Sequence, residues 1–134
     1  MKLIADTGFV VAFANARDRH HAWAVALAQR MQAPALTCEA VLAEAAFHLH
    51  DSGLVLALVE DGMLRIAFDT GEHLGALRSL AKRYRDRRPD LADLCLIRMS
   101  ELFRQHAVAT VDVADFRVYR RNKREVIPTV APAA

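Results

Sequence analysis

The sequence is poor in the residues that mark several common functional classes. Its 134 residues include only two cysteines, five glycines and one tryptophan. Cys38 and Cys95 lie far apart in apolar segments, without the paired spacing of a zinc site. We expect both to be small buried core residues, with no disulfide, as in a reducing cytoplasm. The few glycines form no phosphate-binding loop, which disfavours a P-loop nucleotide hydrolase.

Histidine and serine also lack the arrangements that known hydrolases use. The six histidines include no HExxH motif. The adjacent His20 and His21 diverge, and His48 and His50 point to different faces of one helix, so a zinc enzyme is disfavoured. No serine lies in a nucleophile elbow. The sequence shows no signal peptide and no apolar run long enough to cross a bilayer, so we expect a soluble cytoplasmic protein.

An apolar majority indicates a folded globular protein. Hydrophobic residues make up 54% of the chain and charged residues 25%. This length and composition suit one compact domain with a real core. We assign residues 1–129 to that domain and residues 130–134 to a flexible tail.

Short apolar strands alternate with helical segments along the chain. We predict strands at 2–5, 35–36, 64–68, 107–111 and 126–128. We predict helices at 7–14, 19–32, 38–50, 54–60, 70–84 and 91–103. Thr37 is the expected N-cap of the third helix. This alternation is typical of an α/β fold in which helices cover both faces of a parallel sheet, with functional sites at the carboxyl ends of the strands.

Four acidic residues lie in or beside apolar stretches, where an unpaired charge is costly. They are Asp6, Glu44, Asp93 and Asp112. Asp6 and Asp112 follow predicted strands directly, so both are placed at the carboxyl edge of the sheet. Carboxylates gathered there would repel one another unless a divalent cation lay between them. Mg²⁺ and Mn²⁺ prefer such hard oxygen ligands, which points to metal-dependent chemistry on a phosphate-containing substrate.

Each of these acids also has a structural alternative. Asp6 suits the N-cap of the helix that follows it. Asp93 could complement the positive end of its helix, with Asp90 as the cap. Glu44 lies inside a helix and cannot be a cap. Glu39 lies at the opposite rim of the same apolar stripe, and helical spacing does not choose between the two glutamates.

Basic residues are concentrated in two short segments. Residues 82–88 and 117–124 together hold ten of the eighteen lysines and arginines, and each includes a tyrosine, Tyr84 or Tyr119. Such segments suit contact with a polyanion, although solvated surface segments have the same composition. The arginines that we assign to contact with the backbone of such a polyanion are Arg83, Arg85, Arg87, Arg88, Arg117, Arg120, Arg121 and Arg124.

Five phrases, in order along nearly the whole chain, resemble PIN-domain endoribonucleases, and among these the toxins of VapBC-type toxin–antitoxin pairs. The phrases are LIADTGFVVAFAN, RDRHHAWA, TCEAVLAEAAFHL, PDLADLCLIRMSE and ATVDVADFRVYR. The resemblance implies a three-layer α/β/α sandwich and a Mg²⁺- or Mn²⁺-dependent endoribonuclease whose metal-activated water leaves a 5′-phosphate product. It also implies a role in blocking translation until an antitoxin binds.

The resemblance implies roles for single residues as well. Asp6, Glu44, Asp93 and Asp112 would bind the metal, which selects Glu44 over Glu39. The implied accessory residues are Thr7, Asp90, Thr110 and Asp115. The implied partners are the RNA substrate, an antitoxin and a second copy of the chain. The alternative is a PIN-like domain without activity, which binds RNA or an arginine-bearing protein through its acidic groove.

Overall fold

The computed structural model describes residues 1–133 and shows the α/β fold expected from the sequence. Five parallel strands form the central sheet, in the order β3-β2-β1-β4-β7. These strands are β1 (Leu3–Ala5), β2 (Ala35–Thr37), β3 (Leu64–Ile66), β4 (Ala107–Ala109) and β7 (Thr129–Val130). Helices flank the sheet, so the molecule is a three-layer α/β/α sandwich.

Seven α-helices connect the strands of the described chain. They are α1 (Thr7–Ala14), α2 (His21–Arg30), α3 (Glu39–Leu49), α4 (Ser52–Glu60), α5 (Leu74–Arg83), α6 (Leu91–Leu102) and α7 (Val113–Val118). Short 3₁₀ turns lie at Thr70–His73 and Arg85–Arg87. A separate antiparallel hairpin consists of β5 (Arg120–Arg121) and β6 (Glu125–Val126). Within residues 1–133, no helix combines the length and apolarity needed to cross a membrane.

The strand order places a crevice between β1 and β4. The chain runs from β1 outward through β2 to β3 and then returns to β4 on the other side of β1. Ala5 is paired with Ala109 at the carboxyl ends of these two strands. Ligand sites in open α/β sheets form where the strand order reverses in this way. The residues that follow β1 and β4, beginning with Asp6 and Thr110, therefore lie at this crevice.

The core surrounds the sheet and one nearly buried helix. All three residues of β1 are buried, as their uninterrupted apolar sequence predicts for a central parallel strand. Helix α6 carries seven buried residues and is apolar on almost every side. Cys38 and Cys95 are buried free thiols, as expected. Because most residues of α6 are buried, the acidic residue in its first turn, Asp93, is unusual.

The structure corrects three local predictions. Thr37 is not the N-cap of α3: it ends β2, and its hydroxyl donates to the Ala5 carbonyl (3.1 Å), while Cys38 takes the cap position. The fifth strand of the sheet is 129–130 and not 126–128, because Glu125–Val126 pair instead with Arg120–Arg121 in the hairpin. Val130 pairs with Ala109, so the ordered sheet extends into the predicted tail. Ala134 lies outside the described residues.

Candidate active-site cleft

Asp6 lies at the centre of the crevice and is held by two hydrogen bonds. It directly follows β1 and is only 7% exposed. Its Oδ1 accepts from the Thr7 backbone N–H (2.7 Å), which caps α1 as predicted. Its Oδ2 accepts from the Thr110 hydroxyl (2.7 Å), which joins the ends of β1 and β4. The orientation of this carboxylate is therefore fixed by the two central strands.

Glu44 reaches the crevice from the middle of α3. Its Oε2 accepts a hydrogen bond from the Thr7 hydroxyl (3.1 Å), and the carboxylate is half-buried. Glu39 is exposed at the start of the same helix and does not line the cleft. Of the two glutamates that helical spacing left open, Glu44 is therefore the one that lines the cleft.

Asp90 and Asp93 approach from the first turn of α6. Asp90 caps the helix, because its Oδ1 accepts from the backbone N–H of Asp93 (2.8 Å). The side chain of Asp93 is not needed for this cap. Instead, its Oδ2 accepts from the hydroxyl of Tyr119 (3.3 Å). Tyr119 is 1% exposed, so it orients an acid from within the core and is not part of a surface segment that contacts a polyanion.

The loop after β4 contributes the last predicted residues. Thr110 is fully buried, and its hydroxyl donates to Asp6 while accepting from the backbone N–H of Asp112 (2.9 Å). Asp115 lies in the first turn of α7, close to Asp112. Gly8 packs directly on this loop, and a Cβ at Gly8 would collide with Cγ2 of Val111. The loop after β4 and the start of α1 are therefore in close contact.

Seven of the eight predicted acids and threonines line one cleft of about 790 Å³, and Thr110 lies beneath it. The seven are Asp6, Thr7, Glu44, Asp90, Asp93, Asp112 and Asp115. They come from four separate segments of the chain. The tertiary structure therefore places them together, as expected from the predicted parallel sheet.

Burial and mutual repulsion make these acids harder to ionise. Burial raises the pKa of Asp93 to about 7, and the negative charges of three neighbouring aspartates add to the increase. Burial also raises the pKa of Asp6, although the hydrogen bonds from Thr110 and Thr7 act in the opposite direction. Two interior acids of the cleft are thus harder to ionise than exposed aspartates.

The other two predicted metal ligands show the same effect. Burial raises the pKa of Glu44, and hydrogen bonding with Asp90 raises it further. Burial also raises the pKa of Asp112, and hydrogen bonding with Asp115 contributes in the same direction. Four carboxylates from different elements therefore lie in one cleft with raised pKa values. A bound cation would offset the repulsion between their ionised forms.

The donor set fits a hard divalent cation. The cleft presents carboxylate oxygens and no thiolate, and Mg²⁺ and Mn²⁺ prefer oxygen ligands of this kind. Within residues 1–133, no three acidic, histidine or cysteine side chains already have the spacing of a metal site. Mg²⁺ usually binds through one or two carboxylates and keeps several waters, so it does not need three protein ligands at once.

The predicted RNA-contacting arginines of the first basic segment fall into two structural groups. Arg87 and Arg88 line the acidic cleft, and Arg88 has a left-handed backbone (φ 50°), which is uncommon outside glycine and asparagine. Arg83 and Arg85 line a separate basic depression that they share with Lys82. The first group lies closest to the acids, so it is best placed to contact a ligand in the cleft.

The arginines of the second basic segment differ from one another in exposure. Arg117 and Arg124 are exposed. Arg120 donates to three backbone carbonyls of its own turn, including that of Arg117 at 2.6 Å. Arg121 is buried, and its guanidinium is hydrogen-bonded inside the protein. Arg121 therefore has a structural role and, contrary to the prediction, is not accessible for RNA contact.

Sequence reasoning missed one wall of the cleft. Asp18, Arg19 and His20, from the loop between α1 and α2, line it together with His48 of α3. The divergence of these histidines excludes a zinc site but does not exclude other roles at the cleft. The available signal was the spacing of His48, which lies one helical turn after Glu44 and so shares its face of α3.

No family model matches the chain, and no curated protein matches its sequence at a significant level. The resemblance to PIN-domain endoribonucleases therefore rests on the motifs and stays a prediction.

Proposed function

We propose that this protein is a Mg²⁺- or Mn²⁺-dependent endoribonuclease of the PIN-domain type, which hydrolyses phosphodiester bonds in RNA. One observation carries the proposal: Asp6, Glu44, Asp93 and Asp112 meet in a single cleft, and burial and repulsion raise the pKa of each. Purely structural caps and turn residues do not need to converge in this way. A cleft that binds a divalent cation and a phosphate does require several carboxylates close together.

These four acids would hold the cation. When bound, it would lower the pKa of a coordinated water and offset the charge of the phosphate. The protein's own contribution is to fix the acids in place. The Thr110 hydroxyl and the Thr7 backbone N–H orient Asp6, and the Thr7 hydroxyl donates to Glu44, so Thr7 links two of the candidate ligands. Tyr119 orients Asp93 in the same way.

Arg87 and Arg88 would contact the RNA phosphates beside the acids. Both are exposed at the cleft, and neither forms one of the ion pairs found in residues 1–133. A guanidinium fork suits a phosphate because it donates two parallel hydrogen bonds. The unfavourable backbone of Arg88 is also of the kind that is concentrated at functional sites.

A cleavage assay on labelled RNA tests the proposed function. The wild-type protein should cut RNA in Mg²⁺ or Mn²⁺ and lose this activity in EDTA. Asp93→Asn and Glu44→Gln should each lower the rate at least about a hundredfold, because a catalytic metal ligand is worth several kcal/mol in the transition state. Thermal unfolding should show that both variants remain folded.

The chain supplies a matched control for Glu44. Glu39→Gln makes the same chemical change on the same helix, five residues away and outside the cleft. It should cleave RNA like the wild type. Cleavage that survives EDTA, or that is equally fast in Glu44→Gln and Glu39→Gln, would refute the proposed function.

A second candidate function uses the same electrostatics. An acidic cleft with raised pKa values also suits an arginine side chain from a protein partner, which would relieve the repulsion without a metal. An antitoxin with such a segment would inhibit the enzyme, whereas a PIN-like domain without activity would only bind. Absence of metal-dependent cleavage, together with binding of an arginine-bearing peptide, would favour the second function.

The toxin role in the cytoplasm and the homodimer are parts of the same proposal. Exposed apolar side chains of α3 and α4 support self-association, with Phe47 73% and Leu56 62% exposed. Growth arrest upon expression, relieved by a neighbouring antitoxin, would test the toxin role. Sedimentation would test the dimer.

A further inference from the structure

The wall of the cleft that sequence reasoning missed differs chemically from the acidic floor. It includes Asp18, whose carboxylate accepts from the His20 backbone N–H (2.8 Å), and three further side chains: Arg19 and His20 in the loop between α1 and α2, and His48 one turn after Glu44 on α3. These three side chains carry a guanidinium and two imidazoles, which are poor ligands for Mg²⁺. The wall therefore has a role different from that of the carboxylates.

The loop that carries Arg19 and His20 is held in place by its own hydrogen bonds. The backbone N–H of Asp18 donates to the Asn15 carbonyl (3.0 Å), and that of His21 donates to the Asp18 carbonyl (3.0 Å). The Asp18 carboxylate accepts from the backbone N–H of His20 (2.8 Å). The loop is therefore ordered before any ligand binds, which lowers the entropic cost of binding.

Aromatic packing anchors this loop to the core. The rings of His20 and Trp23 form a T-shaped pair, with centroids 6.4 Å apart. Trp23 packs in the same way on the fully buried Phe9 at 5.8 Å. The position of His20 at the cleft is therefore determined by packing against α1 and α2.

The imidazoles of the wall each make one aromatic contact, His20 with Trp23 and His48 with Phe47 (5.6 Å), whereas the Arg19 guanidinium has no ion pair in the described part of the chain. Among residues 1–133, the ion pairs involve Arg98, Arg104 and Arg121, and Arg19 forms none. Arg19 and His48 are exposed. The cleft wall thus offers the guanidinium donors of Arg19 on a preformed loop and the exposed imidazole of His48 on α3 to a ligand.

Single-stranded RNA offers the complementary chemistry. Its phosphate accepts the two parallel hydrogen bonds of a guanidinium, and its unpaired bases stack on histidine rings and arginine planes. A paired base has no free face to offer. Arg87 and Arg88 line the same cleft, so phosphates on either side of the acids would each have an arginine partner.

We infer that Arg19, His20 and His48 form a subsite for one unpaired nucleotide of the RNA, next to the acidic residues. Arg19 binds its phosphate, and the two imidazoles pack against its base. This inference rests on the proposed function and names the residues that would hold an unpaired nucleotide beside the acids. It also assigns a binding role to three residues outside both basic segments.

Binding and cleavage are measured separately to test the subsite. Fluorescence anisotropy with a labelled single-stranded RNA oligomer is carried out in EDTA, so that cleavage does not interfere. Arg19→Ala and His48→Ala should each weaken binding roughly tenfold, as expected for one phosphate or one stacking contact. Hybridising the oligomer into a duplex should weaken binding of the wild type by at least as much.

Two matched variants serve as controls. Arg17→Ala removes an exposed arginine from the same loop, and His50→Asn removes an exposed histidine two residues after His48; neither residue lines the cleft. Both should bind RNA within about twofold of the wild type, since each lies outside the subsite. His48→Ala keeps the test valid even if His20→Ala loosens the loop through Trp23.

The outcomes separate this inference from the proposed function. Tenfold weaker binding in Arg19→Ala and His48→Ala, with intact controls, supports the subsite whether or not the wild type cleaves RNA. In the cleavage assay the same variants should raise KM about tenfold and leave kcat within about threefold. Unchanged binding in both variants, equal binding of the duplex, or no RNA binding by the wild type overturns the inference, even if cleavage is metal-dependent.

Discussion

The protein contains two clusters of charged residues that are built in opposite ways. Beside the β5–β6 hairpin, Glu125 accepts hydrogen bonds from Arg104 (2.8 Å) and Arg121 (2.9 Å). These arginines lower the pKa of Glu125. In the cleft, by contrast, the acids have mainly hydroxyl, backbone N–H and other carboxyl groups for neighbours, and the pKa of Asp93 rises to about 7.

The comparison separates charges that stabilise the fold, in the hairpin cluster, from charges that await a ligand, in the cleft. The hairpin cluster is complete within the chain, so its charges stabilise the fold without any ligand. The cleft leaves like charges together at the carboxyl edge of the sheet, at a cost in stability. A fold that retains such a cost at a ligand-binding position indicates a missing positive partner.

The largest expected effect comes from breaking the neutralised cluster. Arg121→Ala should lower the free energy of unfolding by about 3 kcal/mol, because the Ser100 and Arg104 carbonyls lose a buried donor. Chemical denaturation measures this loss. Arg104→Ala is the control: its side chain is half exposed, so a much smaller loss is expected. Equal losses in the two variants would show that burial of Arg121 is unimportant.

The second test supplies the missing positive charge to the cleft. Mn²⁺ at about one hundred times its dissociation constant should raise the free energy of unfolding by roughly 2.7 kcal/mol. Calorimetry should detect the corresponding rise in Tm. Arg121→Ala should keep this increment, whereas Asp93→Asn should lose most of it. If millimolar Mn²⁺ does not change the Tm of the wild type, the cleft does not bind the cation. The proposed difference between the two clusters would then be wrong.

The third test uses pH, to which the clusters should respond with opposite signs. In EDTA, the raised pKa of Asp93 means that the folded state holds a proton which the unfolded state has lost. The stabilisation is therefore complete below about pH 4 and disappears as the pH rises through about 7. Because Asp93 is partly solvated, we expect a change on the order of 1–2 kcal/mol.

Glu125 should behave in the opposite way. Its lowered pKa means that its contribution is present above about 4.5 and is lost as the pH falls through the folded-state value. Denaturation midpoints between pH 4 and 8 should show a fall with rising pH that Asp93→Asn flattens and Glu125→Gln leaves in place. A slope that Asp93→Asn does not change would assign the effect to another group.

The smallest effect concerns the contact that brings the two sides of the crevice together. Gly8→Ala should cost about 1 kcal/mol, because the collision with Val111 is partly offset by the better helix propensity of alanine. Val111→Ala in the same molecule should recover stability by making room for the new methyl group. Double-mutant analysis of unfolding checks this coupling, and strictly additive losses would contradict it.

Local sequence patterns were sufficient to predict the layers of the fold and the strand ends that carry Asp6 and Asp112. The runs of apolar residues and the helical spacing are local properties, and parallel strands place their carboxyl ends at one edge. The same reasoning misplaced the last strand and the cap of α3. Those features depend on which backbone groups of β1 and β4 are available as partners, which no local pattern records.

The sequence by itself determined that acids follow the central strands and that arginines are concentrated in two segments. Only the tertiary structure decided which of these charges are neutralised: Arg121 is buried against carbonyl groups and Glu125, whereas Arg19 and His48 lie free at the cleft. The physical reason is that the energy of a charge depends on burial and on neighbours distant in sequence. Residue type and spacing do not contain that information.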